Sequence, residues 1–594
     1  MKRAIFQSKH SRQVSKYRKG ETGMVKKLVG LLLVLCMAVS LIACGGGNGK
    51  ANVATDAKQP DQTNEKAPEN TDTMNDGNTE AADKVEKFDP VIEVTSVRPQ
   101  PNPVTQAYGD GEGPDNNAWT QLFEEKYGFK IKYNWLSPDD TEYRSKLNLD
   151  MTSGELADFF RVDKQQLSEL VDADMIQPLD EVWEKYASER TKNLIETEGG
   201  QKVLDAVTYD GKMMAIPFTG IPKEGAWLLY IREDWLKNLN MEAPKTMDDV
   251  IAIAEAFASQ DPDQNGKDDT YAITLDKTGI SQVLPLFYAN KSYPGALIVN
   301  EDGELTTGYT DENTKEVLQL LNKWYAEGAI DPEWFTKDLS KAFENVVNGK
   351  VGVFFGQFSS PLWPMQAQHD LEPESDWLVM PVPGYDGKEI TNAYNLGVMG
   401  YYVASKDFEH PETIIMMLNE WVDLFYYNTD DDIQLKYINS AEGAEIWQNA
   451  PVQAYRGFKN YQCGIDIAKY YDGTMKLEEL TAEERGLVKN IDAYKAGDES
   501  QWGWNKIFGI DGATSKLQPY IDNDSYIFNE HWSNPTETEV TNGSVMSDYQ
   551  LQSYTSFING QLSFDQWDEF VAKYREIGYD QVLEEYKEQY QLGN

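Results

Sequence analysis

From Val91 to Ala404 strand-like and helix-like stretches take turns along the chain, and this alternation limits the fold more than any other feature. The run Val91-Ile92-Glu93-Val94-Thr95-Ser96-Val97 is rich in β-branched residues, as a strand would be. A Gly-rich loop and a helix predicted over 116–127 follow it. Further strands are expected over 130–135, 157–162, 228–232, 351–355 and 398–404, with helices over 246–259, 313–327 and 413–425. Alternation of this kind implies α/β layers with mostly parallel sheets, since parallel neighbours are joined through crossovers that are usually helical. Helix punctuation agrees: Thr246 stands three residues before Asp249, ahead of an apolar-periodic run. Beyond about 430 the pattern is mostly helical and rich in Tyr and Trp.

At 594 residues the chain exceeds the size at which one core stops growing, so two or more lobes are expected. Cross-links are not available to hold them. Of three cysteines, Cys36 lies inside an apolar leader and Cys44 ends it, leaving Cys463 alone in the folded part. That count excludes an intramolecular disulfide there and a structural zinc site needing two or more cysteines. The net charge of −44 excludes nucleic acid as a natural partner, because a phosphate backbone needs a Lys/Arg surface to release its counterions. Such acidity also keeps an outer-face protein soluble.

Residues 28–43 form the apolar leader, preceded by Lys26 and Lys27, and the run is short for a membrane span. It closes on Leu41-Ile42-Ala43-Cys44, which resembles the lipobox of bacterial lipoproteins. The resemblance implies that residues 1–43 form a signal peptide (with Met24 an alternative start), that Cys44 is acylated, and that the protein is anchored on the extracytoplasmic face of the cell membrane. An ordinary cleavage site or a simple anchor is the alternative. Two acyl chains suffice for stable anchoring. Residues 45–88 are Gly, Asn, Asp, Thr, Glu, Lys, Ala and Pro with almost no large apolar side chain, a composition expected to form a disordered tether.

Several phrases of the folded part stand out: Leu122-Phe123-Glu124-Glu125-Lys126-Tyr127-Gly128, Asp210-Gly211-Lys212 with Ile216-Pro217, Ile231-Arg232-Glu233-Asp234-Trp235-Leu236, Glu327-Gly328-Ala329-Ile330-Asp331-Pro332-Glu333 and Gly349-Lys350-Val351-Gly352-Val353-Phe354-Phe355-Gly356. Near the C-terminus, Phe557-Ile558-Asn559-Gly560 and Trp567-Asp568-Glu569-Phe570 join them. In this order they resemble the extracellular solute-binding proteins of family 1, the receptors of ABC importers, and especially their large oligosaccharide-binding lipoproteins. The resemblance implies a two-lobe periplasmic-binding-protein-like (type II) α/β fold, with a hinge between the lobes and a helical C-terminal part. It places the first crossing near 217–226 and the return near 381–395. Lobe one would hold 89–216 and 384–440, and lobe two 217–383 and 441–594. It further implies an oligosaccharide ligand held by cleft closure, an ABC permease and ATPase as partners, and a monomer with no catalytic residues. A polysaccharide-acting enzyme and a sensory or adhesion lipoprotein are the alternatives. No HExxH, GxSxG or Walker A motif occurs.

A sugar presents hydroxyls and apolar faces, so its cleft needs flat aromatics with amide or carboxylate partners. Tyr108 and Trp119 follow the first strand, and Arg161 and Asp163 come after Phe160. Phe218 and Trp227 flank the first crossing. Gln357, Phe358 and Trp363 follow the strand at 351–355, where related receptors place a stacking Trp. Asn395 precedes the return strand, while Trp502 and Trp504 open the later helical region. Any of these aromatics is as readily a core residue. Trp235, Trp324, Trp334 and Trp421, at core-like spacing on helices, are expected to be packing residues.

The segment Asp261-Pro262-Asp263-Gln264-Asn265-Gly266-Lys267-Asp268-Asp269 repeats the first nine positions of an EF-hand loop. Asp261, Asp263 and Asn265 offer side-chain oxygens, Gly266 permits the sharp turn, Lys267 supplies a carbonyl and Asp269 a carboxylate. Alginate-binding receptors of the family carry a similar loop, which implies structural Ca2+. Position 12 is Ala272, where a bidentate Glu would close the shell. A metal-free acidic turn is the alternative.

Overall fold

The computed structural model describes residues 86–100, 108, 111–300, 303–440 and 445–590. The leader, Cys44 and the tether lie outside them. A first sheet is built from β1 (Ile92–Pro99), β2 (Phe129–Ser137), β3 (Phe159–Val162), β4 (Ile216–Thr219) and, late in sequence, β9 (Val398–Ala404), in the order β2-β1-β3-β9-β4. The second sheet, β6-β5-β7, contains β5 (Leu228–Arg232), β6 (Val353–Gly356) and β7 (Trp377–Pro381). A two-stranded parallel ribbon joins β8 (Asn392–Tyr394) to β10 (Tyr526–Phe528).

Burial explains which sequence makes which strand. β2, at an edge, buries Phe129, Ile131 and Tyr133 and exposes Lys130, Lys132 and Asn134, as a strand covered on one face does. Along β9 alternate residues serve opposite cores: Tyr402 and Ala404 one, Tyr401 and Val403 the other. The first of these cores is roofed by α1 (Ala118–Tyr127) and α6 (Glu412–Tyr426), the second by α2 (Lys164–Asp172). Chain order then gives α3 (Gln201–Val207), α4 (Met247–Ser259), α5 (Glu312–Ala326), α7 (Lys459–Asp472), α8 (Ala482–Lys495), α9 (Trp502–Phe508) and α10 (Glu537–Ile558).

Local signals set the helix starts. Asn117 caps α1 and Thr246 caps α4 in reciprocal capping boxes, each contributing about 1 kcal/mol. β5 is buried along its whole length because strands flank it on both sides. Its core is continuous with the C-terminal helices, through Ile467, Trp502, Tyr554 and Trp567. Trp235, Trp324, Trp334 and Trp421 are fully buried.

Two sequence expectations need correction. The second sheet is wholly antiparallel, and β9 runs against both of its neighbours in the first. Hydrophobic runs mark a buried strand without marking its direction. The first sheet's core also reaches Ala450, Val452 and Ala454, beyond the boundary expected at 440.

Between the sheets the chain crosses after Thr219 into β5, back from Pro381 through β8 into β9, and again between Ala454 and α7. The crossings are laced together. Trp227 N donates to Asn392 Oδ1 at 2.9 Å, and Tyr455 N donates to Thr219 O at 2.9 Å. Gly397 takes φ +69° directly against Pro222.

Candidate ligand cleft and cation loop

The strand directions put one end of each sheet at the crossings. β1, β2, β3 and β4 all finish at the end of the first sheet where β9 begins, as the pairings Tyr401 with Val162 and Val398 with Thr219 show. In the second sheet Leu228 opens β5 opposite Gly356 and Pro381, the last residues of β6 and β7. The space bounded by these two ends and the crossings is the candidate cleft, at the carboxyl ends of parallel strands where open α/β sheets hold their ligands.

Several expected residues gather there. From the first sheet come Arg161, Asp163 and Phe218. The Arg161 guanidinium lies 5.7 Å from the Phe218 ring centre and donates to exposed Asp140 at 2.6 Å. Asp163 caps α2 through Gln166 N and pairs with Arg144 at 3.1 Å, so its carboxylate already has a structural task. Phe218 is buried against Tyr402 and Tyr455. Half-buried Tyr108 neighbours Arg98, and burial pushes its phenol upward. Exposed Asn395 turns its side-chain oxygen to Gly397 N at 2.9 Å.

From the second sheet come half-buried Trp227 and Gln357, with Phe358 nearly covered beside them. The Gln357 carbonyl accepts from Tyr230 Oη at 2.7 Å, which fixes the turn after β6. Half-buried Trp363 sits in the following 361–365 turn, where its extended backbone breaks the helical path.

Two tryptophans are not cleft residues. Trp119 is 0% exposed, and its indole donates to Tyr437 O at 3.0 Å inside the first core. Trp502 is 1% exposed and stacks on His369 with ring centres 4.8 Å apart. In both, helical periodicity turns the ring inward. Trp504, two positions on, is half-buried and stacks on Phe508. Aromatics that sequence reasoning passed over lie on the β8–β10 ribbon: Tyr394, Tyr526 and Phe528 are half-buried, and Tyr526 packs on the second-sheet core along with Ala393 and Ile527. Lys223 lies 5.0 Å from both tyrosine ring centres.

In the 261–269 loop, Asp261, Asp263 and Asp269 are half-buried and the residues between 264 and 268 are exposed. Gly266, at φ +76°, donates to both oxygens of Asp261 at 3.1 and 3.3 Å. The Asn265 amide nitrogen stands between Asp263 Oδ2 at 2.6 Å and Asp269 Oδ1 at 3.1 Å. Burial, with Asp269 and Asp261 close by, holds the Asp263 carboxyl above the usual range. Among the described residues no group of three or more His, Cys, Asp or Glu side chains is drawn together tightly enough to hold a metal. The donor types and their order nevertheless suit a hard cation, with one amide N–H2 standing where positive charge is wanted.

Comparison with known proteins places this architecture. The sequence model of the bacterial extracellular solute-binding proteins matches residues 118–413. Lipoprotein LipO of Bacillus subtilis is 30% identical over 251 residues, 41% of this chain and 47% of LipO. The fructooligosaccharide ABC transporter substrate-binding protein FusA of Streptococcus pneumoniae is 29% identical over 258 residues, 41% of this chain and 46% of FusA. The matched stretch thus spans about half the length of these relatives. The solved structure of a FusA EF-hand mutant in complex with fructo-nystose superposes with a TM-score of 0.51 at 19% identity, covering 84% of this chain and 100% of that one. Over residues 118–413 this chain belongs to the bacterial extracellular solute-binding proteins, and it has a two-lobed, type II periplasmic-binding-protein-like α/β fold.

Proposed function

We propose that this chain is the lipid-anchored receptor of an ABC importer, which captures an oligosaccharide between its two sheets and passes it unaltered to a permease and its ATPase. The observation that carries this is the convergence of two sheet ends on three crossings, with aromatic and amide side chains contributed from both sides. Trp227, Gln357, Phe358 and Trp363 from one side and Arg161, Tyr108 and Asn395 from the other would meet a ligand held between them. A ligand that touches both lobes favours the closed state by its differential affinity for it. FusA, named for fructooligosaccharide, supports the sugar class. LipO, named a lipoprotein, supports anchoring through Cys44.

The 261–269 loop would take Ca2+ on Asp261, Asp263, Asn265, Asp269 and the Lys267 carbonyl. The ion would supply fixed positive charge that holds the loop after α4 in one shape. The EF-hand named for FusA supports this assignment.

A thermal-shift screen of neutral and acidic oligosaccharides tests the assignment. Ligand at about 100 times its dissociation constant contributes about 2.7 kcal/mol, a visible rise in midpoint. A flat response across fructo-, galacto- and uronic oligosaccharides would refute the carbohydrate assignment.

A further inference from the structure

Glu224 lies in the first crossing and is 0% exposed. No mid-crossing turn needs a carboxylate for its own geometry, yet this one reaches the third crossing. Its Oε1 accepts from Tyr461 N at 2.6 Å and its Oε2 from Asn460 Nδ2 at 2.9 Å, in the first turn of the fourteen-residue helix α7. Free N–H groups and the positive end of the helix dipole favour an anion there.

Other charges compete for the same neighbourhood. Lys459, on α7, faces Glu224 and forms an ion pair with Glu483 near the start of α8. Cys463 on α7 and the Tyr526 phenol on β10 also face it, Glu484 on α8 lies beyond Cys463, and Lys223 is adjacent in sequence. Lys459 is therefore shared between Glu483 and Glu224. Burial raises the Glu224 carboxyl to about 7, outweighing the hydrogen bonds from α7 and the Lys459 charge, which lower it. Neighbouring contacts make the crossing a unit: Trp227 N is tied to β8, and Tyr526 Oη donates to Lys223 O at 3.3 Å.

We propose that Glu224 is a positioning residue of the hinge, whose proton sets how firmly the first crossing is held against α7. Protonated, the side chain stays buried and the two crossings move together. Ionised, it draws toward water and loosens the joint about which the lobes close. The proposal rests on the binding-protein function above for its purpose, but the joint exists without ligand.

Hydrogen exchange of the full chain, without sugar, reads it directly. Exchange of segments 220–227 and 458–464, corrected for the intrinsic pH dependence, is followed from pH 6 to pH 8.5. Opening that returns Glu224 from about 7 to the ordinary carboxylate range should lower protection of both segments together by roughly tenfold over that interval. Glu224→Gln should remove this pH dependence. Glu483→Gln, which frees Lys459 for Glu224, should shift the midpoint to lower pH in a chain that keeps its hinge carboxylate. A flat wild-type profile, or an unchanged profile in either variant, would overturn the proposal. Since no sugar is present, that failure is distinct from failure to bind oligosaccharide.

Discussion

Replacing Gly397 with alanine should damage the hinge by an amount that can be separated into two causes. The residue sits at φ +69°, and an added Cβ would lie 2.5 Å from Pro222 Cγ, 2.6 Å from Cδ and 2.9 Å from Cβ. The left-handed backbone alone costs a non-glycine residue about 1–2 kcal/mol. Forcing a methyl into a packed ring that cannot rotate away adds about 1–3 kcal/mol, for about 2–5 kcal/mol in total. Gly473, which ends α7 at φ +83°, has nothing within 4 Å of its hypothetical Cβ and supplies the control. Gly473→Ala should therefore lose only the backbone share. Urea unfolding of both variants measures the difference as a shift in midpoint. Equal losses would refute the claim that the first two crossings pack glycine backbone against the proline ring at this point.

Trp363→Ala should weaken oligosaccharide binding about tenfold and, since its half-buried ring packs on the edge of the core, lower the unfolding midpoint less than Trp502→Ala, which should cost about 3–5 kcal/mol of stability; titration calorimetry and urea unfolding separate the two. Saturating Ca2+ should raise the thermal midpoint and a chelator should return it, and Asp263→Asn should abolish the response. The Glu224 carboxyl is held at about 7 in the folded chain against an unfolded value of 4.5. A raised value of this kind gives stability that is present below pH 4.5 and lost as pH rises through 7. Between pH 5 and 8 the stability of Glu224→Gln should accordingly improve relative to wild type, by on the order of 3 kcal/mol at most.

The elements were largely visible in the chain. Leu228–Arg232 and Val398–Ala404 form where β-branched and aromatic runs predict them, and the capped helix after Thr246 begins at Met247. Strand direction was not visible, because an apolar run such as Val353–Gly356 has the same composition whichever way its neighbour points. The candidate site was half legible. Gln357, which follows β6, and Arg161, one residue before the end of β3, lie near the crossings because topology carries strand ends there. Trp119 and Trp502 misled because a tryptophan next to a loop looks the same in sequence whether its helix turns it in or out. The Glu224 joint was hidden altogether, since it forms between residues more than 200 positions apart.

Small-angle X-ray scattering of the protein with and without a binding oligosaccharide, with the sugar recovered and weighed by mass spectrometry, tests the central claim most directly. Two lobes that shut over an unaltered solute predict a smaller radius of gyration at saturation and an intact sugar. An unchanged radius, or a sugar returned in pieces, would contradict it.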